Sequence, residues 1–127
     1  MEFHNHRIHE DDRRRGSYEI VPGLAGDMNF TVHNVSVIPH EWHMPKIHTD
    51  YFTVAKGKIL FRMAHDDGKL EEKIVLTEHD HKTLILPPGV WHNYIALEPS
   101  ILVFYTDHKF NANDEFRRSC DVDGWKI

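Results

Sequence analysis

Short runs of β-forming residues separated by turn residues dominate this 127-residue chain. Gly57 in AKGKI tolerates a positive φ, Asp-Gly in HDDGKL is a hairpin signal, and the two prolines of LPPGVW cannot continue a central strand. No segment combines sustained helical periodicity with capping signals. This punctuation predicts an all-β domain, either a barrel or a sandwich. The predicted strands cover residues 29–38, 48–55, 58–65, 73–77, 83–86, 92–97 and 101–106.

The length predicts one domain over residues 1–127. Residues 1–27 are expected to form an amino-terminal arm or an edge strand, residues 35–106 the core, and residues 107–127 a carboxyl-terminal tail. A small closed barrel with a polar arm favours a homodimer, since two-fold dimers are the commonest closed oligomers.

Charge and composition narrow the classes of partner. The formal net charge of −5 disfavours nucleic-acid binding, and the run Arg13–Arg15 after two aspartates predicts a solvated turn, although an anionic substrate could use one of these arginines. No apolar run approaches the roughly 18 residues of a membrane span. The single cysteine, Cys120, cannot form an internal disulfide. Together these features predict a cytoplasmic protein with no membrane partner.

Two histidine-bearing segments carry the candidate chemistry, HEWHMPKIHTDYF and HKTLILPPGVWHNY. Strand side chains alternate, so His48, Asp50 and Phe52 are expected on one face. If the two segments oppose each other in a barrel, His43 and His92 converge with His48 and Asp50 near one mouth. The aromatic side chains expected to fill the barrel are Phe52, Phe61, Phe104 and Trp91.

These segments resemble the two halves of the cupin signature. PPGVWH has the Pro, Gly and His of the second half in the expected spacing. In the first half, His43 lies fourteen residues before Gly57 and Asp50 seven before it, as in the family, whereas Pro45 stands in place of the second histidine. The resemblance implies a small cupin domain, a jelly-roll or double-stranded β-helix barrel.

The chain also resembles a narrower group, the cupins that act on sugar nucleotides. The spacing from HEWH to AKGKI is similar to that of deoxythymidine-diphosphate 4-keto-6-deoxyhexose 3,4-ketoisomerases, and the tail FYTDHKFNANDEFRRSCDVDGW is similar to that of the 3,5-epimerases. His40 stands where these enzymes usually have arginine. Phe110 stands where the acid tyrosine of the epimerases is expected, which leaves Tyr105 or Tyr94 for that role.

This narrower resemblance implies proton transfer next to the ketone of a nucleotide-linked sugar, with no cofactor required. Histidine suits the base because its pKa lies near neutral pH. We assign the base to His43, its orientation to Asp50 and the acid to Tyr105. The expected substrate-binding residues are His92, Tyr94, Trp42, His40 and Arg62, although core packing is an alternative for Trp42 and a solvated surface for Arg62.

A divalent metal is the alternative use of the same side chains. His43, His48, Asp50 and His92 supply imidazole and carboxylate donors suited to zinc, iron or nickel. That reading predicts a metal-dependent cupin, such as a dioxygenase or another isomerase. A third reading is a non-enzymatic cupin that binds a sugar or small metabolite.

Overall fold

A computed structural model of the chain describes residues 1–34, 37–65 and 71–126. These ranges contain β-strands and two short 3₁₀ turns, Ala112–Asp114 and Val122–Trp125. No helix in them is long and apolar enough to span a membrane. The strands are β1 (Arg7–Glu10), β2 (Arg15–Tyr18), β3 (Asp27–His33), β4 (Glu41–Met44), β5 (Asp50–Lys56), β6 (Lys58–Ala64), β7 (Glu71–Thr77), β8 (Leu84–Leu86), β9 (Trp91–Ala96), β10 (Ser100–Thr106) and β11 (Phe116–Ser119).

The strands form two antiparallel sheets that pack against each other. The six-stranded sheet has the order β1-β2-β3-β10-β5-β8, and the five-stranded sheet has the order β11-β4-β9-β6-β7. Neighbours in the sheets are mostly distant in sequence, as in β3 beside β10 and β4 beside β9. The prediction of an all-β domain is therefore confirmed.

Alternating side chains from both sheets form the core between them. Phe52 and Leu102 come from the six-stranded sheet, and Ile59 and Phe61 come from the five-stranded sheet. The Phe52 and Phe61 ring centroids lie 5.6 Å apart, and Phe104 packs against the same cluster. These three aromatics fill the barrel as predicted.

The carboxyl-terminal segment covers the outer face of the five-stranded sheet. Trp125 is 3% exposed, packs on Leu60 and Ile95, and donates a hydrogen bond from Nε1 to the Pro39 carbonyl at 3.1 Å. Trp91 also belongs to this outer layer, so its predicted place inside the barrel is wrong. Its neighbours His92 and Tyr94 point inward instead, because side chains alternate along β9.

All seven predicted strands are present, with shifted ends. The strand predicted over 29–38 is β3, which ends at His33. Residues 1–27, expected as an arm or an edge strand, contain the short strands β1 and β2, with β1 at the sheet edge, whereas β11 in the carboxyl-terminal tail was not predicted. Gly57 lies between β5 and β6 with a φ of 84°, as predicted. The Asp-Gly turn of HDDGKL lies in residues 66–70, outside the described residues.

The amino-terminal hairpin of β1 and β2 extends the six-stranded sheet at its edge. Arg7 pairs with Tyr18 and Glu10 with Arg15. Within the connecting turn, Oδ1 of Asp11 accepts hydrogen bonds from the amides of Arg13 and Arg14 at 2.9 and 3.0 Å. This turn directs the Arg13 and Arg14 side chains toward the space between the sheets.

Candidate functional site

A cavity of about 370 Å³ lies between the two sheets. Its wall combines His43 and His92 with Asp50 and, from the amino-terminal hairpin, Arg13 and Arg14. The volume is within the range of small-molecule sites, roughly 300–1,000 Å³. The cavity thus brings together the histidine segments and a part of the chain expected to be an arm or an edge strand.

His43 and His92 are neighbours across the five-stranded sheet, directly opposite each other in the β4–β9 pairing. Burial, reinforced by the positive charge of Arg117, lowers the pKa of His43 to about 4. Arg117 is close because it pairs with His43 across β11 and β4. His43 is therefore a neutral imidazole at neutral pH and can accept a proton.

His92 is held from both ring nitrogens. Its Nδ1 lies 3.0 Å from the Val90 carbonyl oxygen, and its Nε2 lies 3.5 Å from Oδ2 of Asp50. The ring also meets Phe52 edge-on, with a centroid distance of 5.8 Å. These contacts fix the orientation of the ring beside His43.

Asp50 contacts two histidines, neither of which is His43. Its other oxygen, Oδ1, lies 3.2 Å from Nε2 of His48, whose Nδ1 lies 3.4 Å from Oδ2 of Asp114. Burial alone would lower the pKa of His48, but the hydrogen bond to Asp50 and the charges of both carboxylates raise it. Asp50 therefore contacts His48 and His92. In the described part of the chain, no carboxylate lies within 4 Å of His43.

Asp114 belongs to the site, although the sequence analysis did not select it. Its side chain is 4% exposed and accepts hydrogen bonds from the amides of Lys46 (2.7 Å) and Ile47 (3.2 Å), which fixes the loop before His48. The only sequence signal was the turn-forming NANDE. Asn111 caps this 3₁₀ turn, its side chain accepting a hydrogen bond from the Asn113 amide.

The four predicted metal ligands do not form a metal-binding arrangement. Within residues 1–34, 37–65 and 71–126, no group of three or more histidine, cysteine, aspartate or glutamate side chains is placed to hold a metal ion. His48 faces a carboxylate from each nitrogen, which favours the protonated ring, whereas a metal requires a neutral one. Asp50 is already engaged by His48 and His92. The residues present therefore fit an ion-pair network better than a metal.

Arg13 and Arg14 line the cavity, so the prediction of a solvated turn is wrong for these two residues. Nη2 of Arg13 donates to Oδ1 of Asn93 at 2.9 Å and to the Tyr94 carbonyl, and Nη1 of Arg14 donates to the Tyr94 hydroxyl at 2.9 Å. Neither guanidinium has a carboxylate within 4 Å among the described residues. Burial lowers the pKa of Arg13 below its usual value. Arg7 and Arg117 add two further positive charges to the wall.

Four predicted site residues lie outside the cavity: Trp42, Arg62, Tyr105 and His40. Trp42 is buried on the outer face of the five-stranded sheet, where the Arg62 guanidinium lies 4.8 Å from its ring centroid. Tyr105 lies on the outer face of the six-stranded sheet, 6.0 Å from the ring of Tyr51, because Phe104 points inward. His40 is exposed, and its carbonyl accepts a hydrogen bond from the Cys120 amide. The other predicted residues, His43, His48, Asp50, His92 and Tyr94, all line the cavity.

No protein-family model and no curated protein sequence matches the chain. Solved structures do match it. The capsular polysaccharide assembling protein CapF from Staphylococcus aureus superposes with a TM-score of 0.78 at 17% identity, covering 90% of this chain and 32% of CapF. Bacillus subtilis oxalate decarboxylase gives a TM-score of 0.68 at 15% identity, covering 87% of this chain and 30% of the decarboxylase.

A third solved structure is similar over its whole length. Streptomyces PAC13 with uridine has a TM-score of 0.71 at 12% identity, covering 98% of each chain. By contrast, this chain spans about a third of CapF and of oxalate decarboxylase. Identities this low show the fold alone. The two facing antiparallel sheets and these structural likenesses show that the chain is a small single domain with the cupin fold.

Proposed function

We propose that the chain is an enzyme that transfers a proton at a carbon next to the ketone of a nucleotide-linked 4-keto-6-deoxyhexose, as an epimerase or ketoisomerase. The observation that carries this proposal is the position of His43 in a cavity lined by four arginines, Arg7, Arg13, Arg14 and Arg117. The histidine supplies a base, and the arginines supply the charge that an anionic substrate requires.

The charges around His43 couple substrate binding to its basicity. In the free protein, burial and Arg117 hold the pKa of His43 near 4. A bound diphosphate would offset the arginine contribution and raise this pKa, whereas the larger contribution of burial would remain. The base would therefore become stronger when an anionic substrate is present.

The arginines favour a phosphorylated ligand over a neutral sugar. Arg13 and Arg14 are half-buried without a carboxylate partner in the described part of the chain, and guanidinium groups bind phosphate oxygens through paired N–H donors. Two similar structures support the sugar and nucleoside parts of such a ligand, since one is the capsular polysaccharide assembling protein CapF and the other is PAC13 with uridine. A nucleotide sugar as substrate also agrees with the cytoplasmic location expected from the sequence.

Asp50 acts on His43 indirectly in this proposal. It holds His92 and His48, and His92 packs beside His43 in the sheet. We assign His43 the base, His92 a substrate contact and Asp50 a positioning role.

Incubation with thymidine- and uridine-diphosphate 4-keto-6-deoxyhexoses in deuterium oxide tests the proposal. We expect deuterium to enter the sugar ring at carbons next to the ketone, because His43 exchanges the proton it removes with solvent. His43→Ala should lower the exchange rate by roughly a hundred- to ten-thousand-fold while leaving the melting temperature nearly unchanged.

His79→Ala is the matched control, since the His79 side chain is 85% exposed, and it should exchange at the wild-type rate. Absence of label with every keto sugar nucleotide would refute the proposed reaction. Full exchange by His43→Ala would instead refute the assignment of the base. Elemental analysis of the same preparation tests the metal-dependent alternative, for which stoichiometric zinc, iron or nickel would count.

A further inference from the structure

We propose that Tyr94 and Arg14 form an oxyanion site that binds the ketone oxygen of the substrate while His43 removes the neighbouring proton. This inference rests on the proposed function and extends it, because it assigns the group that stabilises the enolate. It replaces Tyr105, which lies on the outer face of the six-stranded sheet.

Tyr94 is placed beside the base. It follows His92 by two residues on the inward face of β9, and His92 is directly opposite His43. Two residues of a strand span about 7 Å. The acidic C–H and the ketone oxygen of a substrate lie on adjacent carbons, so a base and an oxyanion site that serve them must be side by side in this way.

The hydroxyl hydrogen of Tyr94 is available to a ligand. Its oxygen accepts a hydrogen bond from Nη1 of Arg14 at 2.9 Å, so the protein uses the hydroxyl as an acceptor. The nearest alternative acceptor for its hydrogen is Nε2 of His33 at 3.4 Å, but Oγ1 of Thr31 lies closer to that nitrogen, at 3.0 Å.

His33 is a weak competitor for the hydrogen of the Tyr94 hydroxyl. Burial, with the charges of Arg13 and Arg14, lowers its pKa to about 4, so the ring is neutral at neutral pH. Oγ1 of Thr31, at 3.0 Å, lies closer to Nε2 of this ring than the Tyr94 hydroxyl does, at 3.4 Å. The Tyr94 hydroxyl also lines the cavity, so its hydrogen can be donated to a bound ligand.

Arg14 adds an uncompensated positive charge at the same point. In the described ranges, the Tyr94 hydroxyl is the only hydrogen-bond acceptor of its guanidinium, and its Nε is buried without a partner. A buried donor without a partner destabilises the folded protein. Negative charge that develops next to Arg14 during the reaction offsets this cost, which is the principle of a preorganised oxyanion site.

The proton and electrons balance in each step. His43 takes the proton from the carbon next to the ketone, the C–H electron pair forms the enolate C=C bond, and the C=O π pair moves to the oxygen. Tyr94 and Arg14 stabilise that oxygen by hydrogen bonding and charge. The protonated ring of His43, after exchange with solvent, returns a proton to carbon and restores the ketone, so no oxidant or reductant is needed.

Kinetics of Tyr94→Phe and Arg14→Lys in deuterium oxide test the site. Each variant should lower kcat for exchange by roughly a hundred- to a thousand-fold with little change in KM, since the contact forms chiefly in the transition state. The matched controls are Tyr51→Phe, on the outer face of the six-stranded sheet, and Arg15→Lys, at an exposed residue next to Arg14. Both controls should keep the wild-type kcat, and equal losses in controls and test variants would overturn the inference.

Oxalate binding tests the site without turnover and separates it from the proposed reaction. Oxalate is a planar dianion whose O–C–C–O unit resembles an enediolate, and calorimetry with chelator-treated protein measures its Kd. We expect wild-type protein to bind it and each test variant to bind roughly ten- to a hundred-fold more weakly, with the controls unchanged. Failure of wild-type protein to bind oxalate, or equal binding by Tyr94→Phe, would refute the oxyanion site even if keto sugars exchange. Oxalate binding with this pattern but no exchange would retain the site and refute the reaction.

Discussion

At the scale of single residues, buried His33 and half-buried His43 make the stability of the protein depend on pH. Burial is the largest cause of the low pKa of both His33 and His43, and nearby arginines add to it. Each pKa falls from the usual 6.5 to about 4. Between these values the unfolded chain binds protons that the folded chain does not. The contribution of these two neutral rings to the free energy of unfolding is therefore complete above pH 6.5 and is lost as the pH falls toward 4.

His33→Asn should reduce this acid sensitivity. The pKa difference of His33, from 6.5 to about 4, corresponds to about 3 kcal/mol in the free energy of unfolding. The wild-type protein loses this amount as the pH falls between the two pKa values, and the variant does not. Urea unfolding at pH 7.5 and at pH 4.5 measures the difference. His79→Asn is the exposed control and should leave the pH dependence unchanged. Identical pH dependence in wild type and His33→Asn would contradict the assignment.

Arg62 is a structural arginine, although the sequence suggested a substrate contact. It is 1% exposed, its guanidinium lies 4.8 Å from the ring centroids of Trp42 and Trp125, and Nη1 donates to the Asp121 carbonyl at 2.8 Å. Its Nε also pairs with Glu71, whose side chain is 39% exposed. The residue therefore anchors the carboxyl-terminal segment to the five-stranded sheet.

Arg62→Leu should destabilise the protein by about 2–3 kcal/mol, below the 3–5 kcal/mol typical of a broken buried pair, because the remaining partner Glu71 stays partly hydrated. Chemical unfolding measures the change, and Lys126→Leu, at an exposed position, should have little effect. The folded variant should keep wild-type KM and kcat. A selective rise in KM would instead make Arg62 a substrate ligand.

At the scale of elements, the turn between β5 and β6 requires glycine for two reasons. Gly57 has a φ of 84°, and a Cβ there would collide with Oγ of Ser100 and the Pro99 carbonyl oxygen. Gly89 has a similar φ of 88° but open space around it. Substitutions at these two glycines therefore distinguish the cost of backbone strain, present at both, from the cost of a steric collision, present only at Gly57.

Gly57→Ala should be more destabilising than Gly89→Ala. Backbone strain alone costs about 1–2 kcal/mol at either position, and the collision at Gly57 adds roughly 1–3 kcal/mol. Thermal and urea unfolding of both variants measures the difference. Equal losses would show that the Pro99–Ser100 backbone moves away without cost.

At the scale of the whole molecule, the outer face of the six-stranded sheet is the surface on which we expect a second copy to dock. Val103 is partly exposed on this face, and Ile85 is 55% exposed. Burial of exposed apolar surface by a symmetric partner stabilises a dimer.

Sedimentation at micromolar concentration should give about twice the chain mass of 15.0 kDa. The double variant Ile85→Lys with Val103→Lys should sediment as a monomer, whereas Ile74→Lys, on the edge strand β7, should remain a dimer. A wild-type monomer would refute the predicted dimer.

The sequence by itself determined the fold class and the centre of the site. Turn chemistry is local, so Gly57 and the Pro-Pro-Gly turn marked strand ends correctly. Alternation along a strand is also local, and it correctly placed Asp50 and Phe52 on one inward face. The expectation that the two histidine-bearing segments oppose each other in a barrel correctly placed His43 and His92 at one cavity.

Only the tertiary structure decided the partners of these side chains. Arg14 meets Tyr94 across 80 residues of sequence, and Asp114 reaches the loop before His48 across 68. Such contacts depend on where the amino-terminal hairpin and the carboxyl-terminal segment pack, and a polar run such as Asp-Asp-Arg-Arg has the same local pattern on a surface as beside a cavity. The outward direction of Tyr105 likewise followed from strand register, since a shift of one residue moves every side chain of a strand to the opposite face.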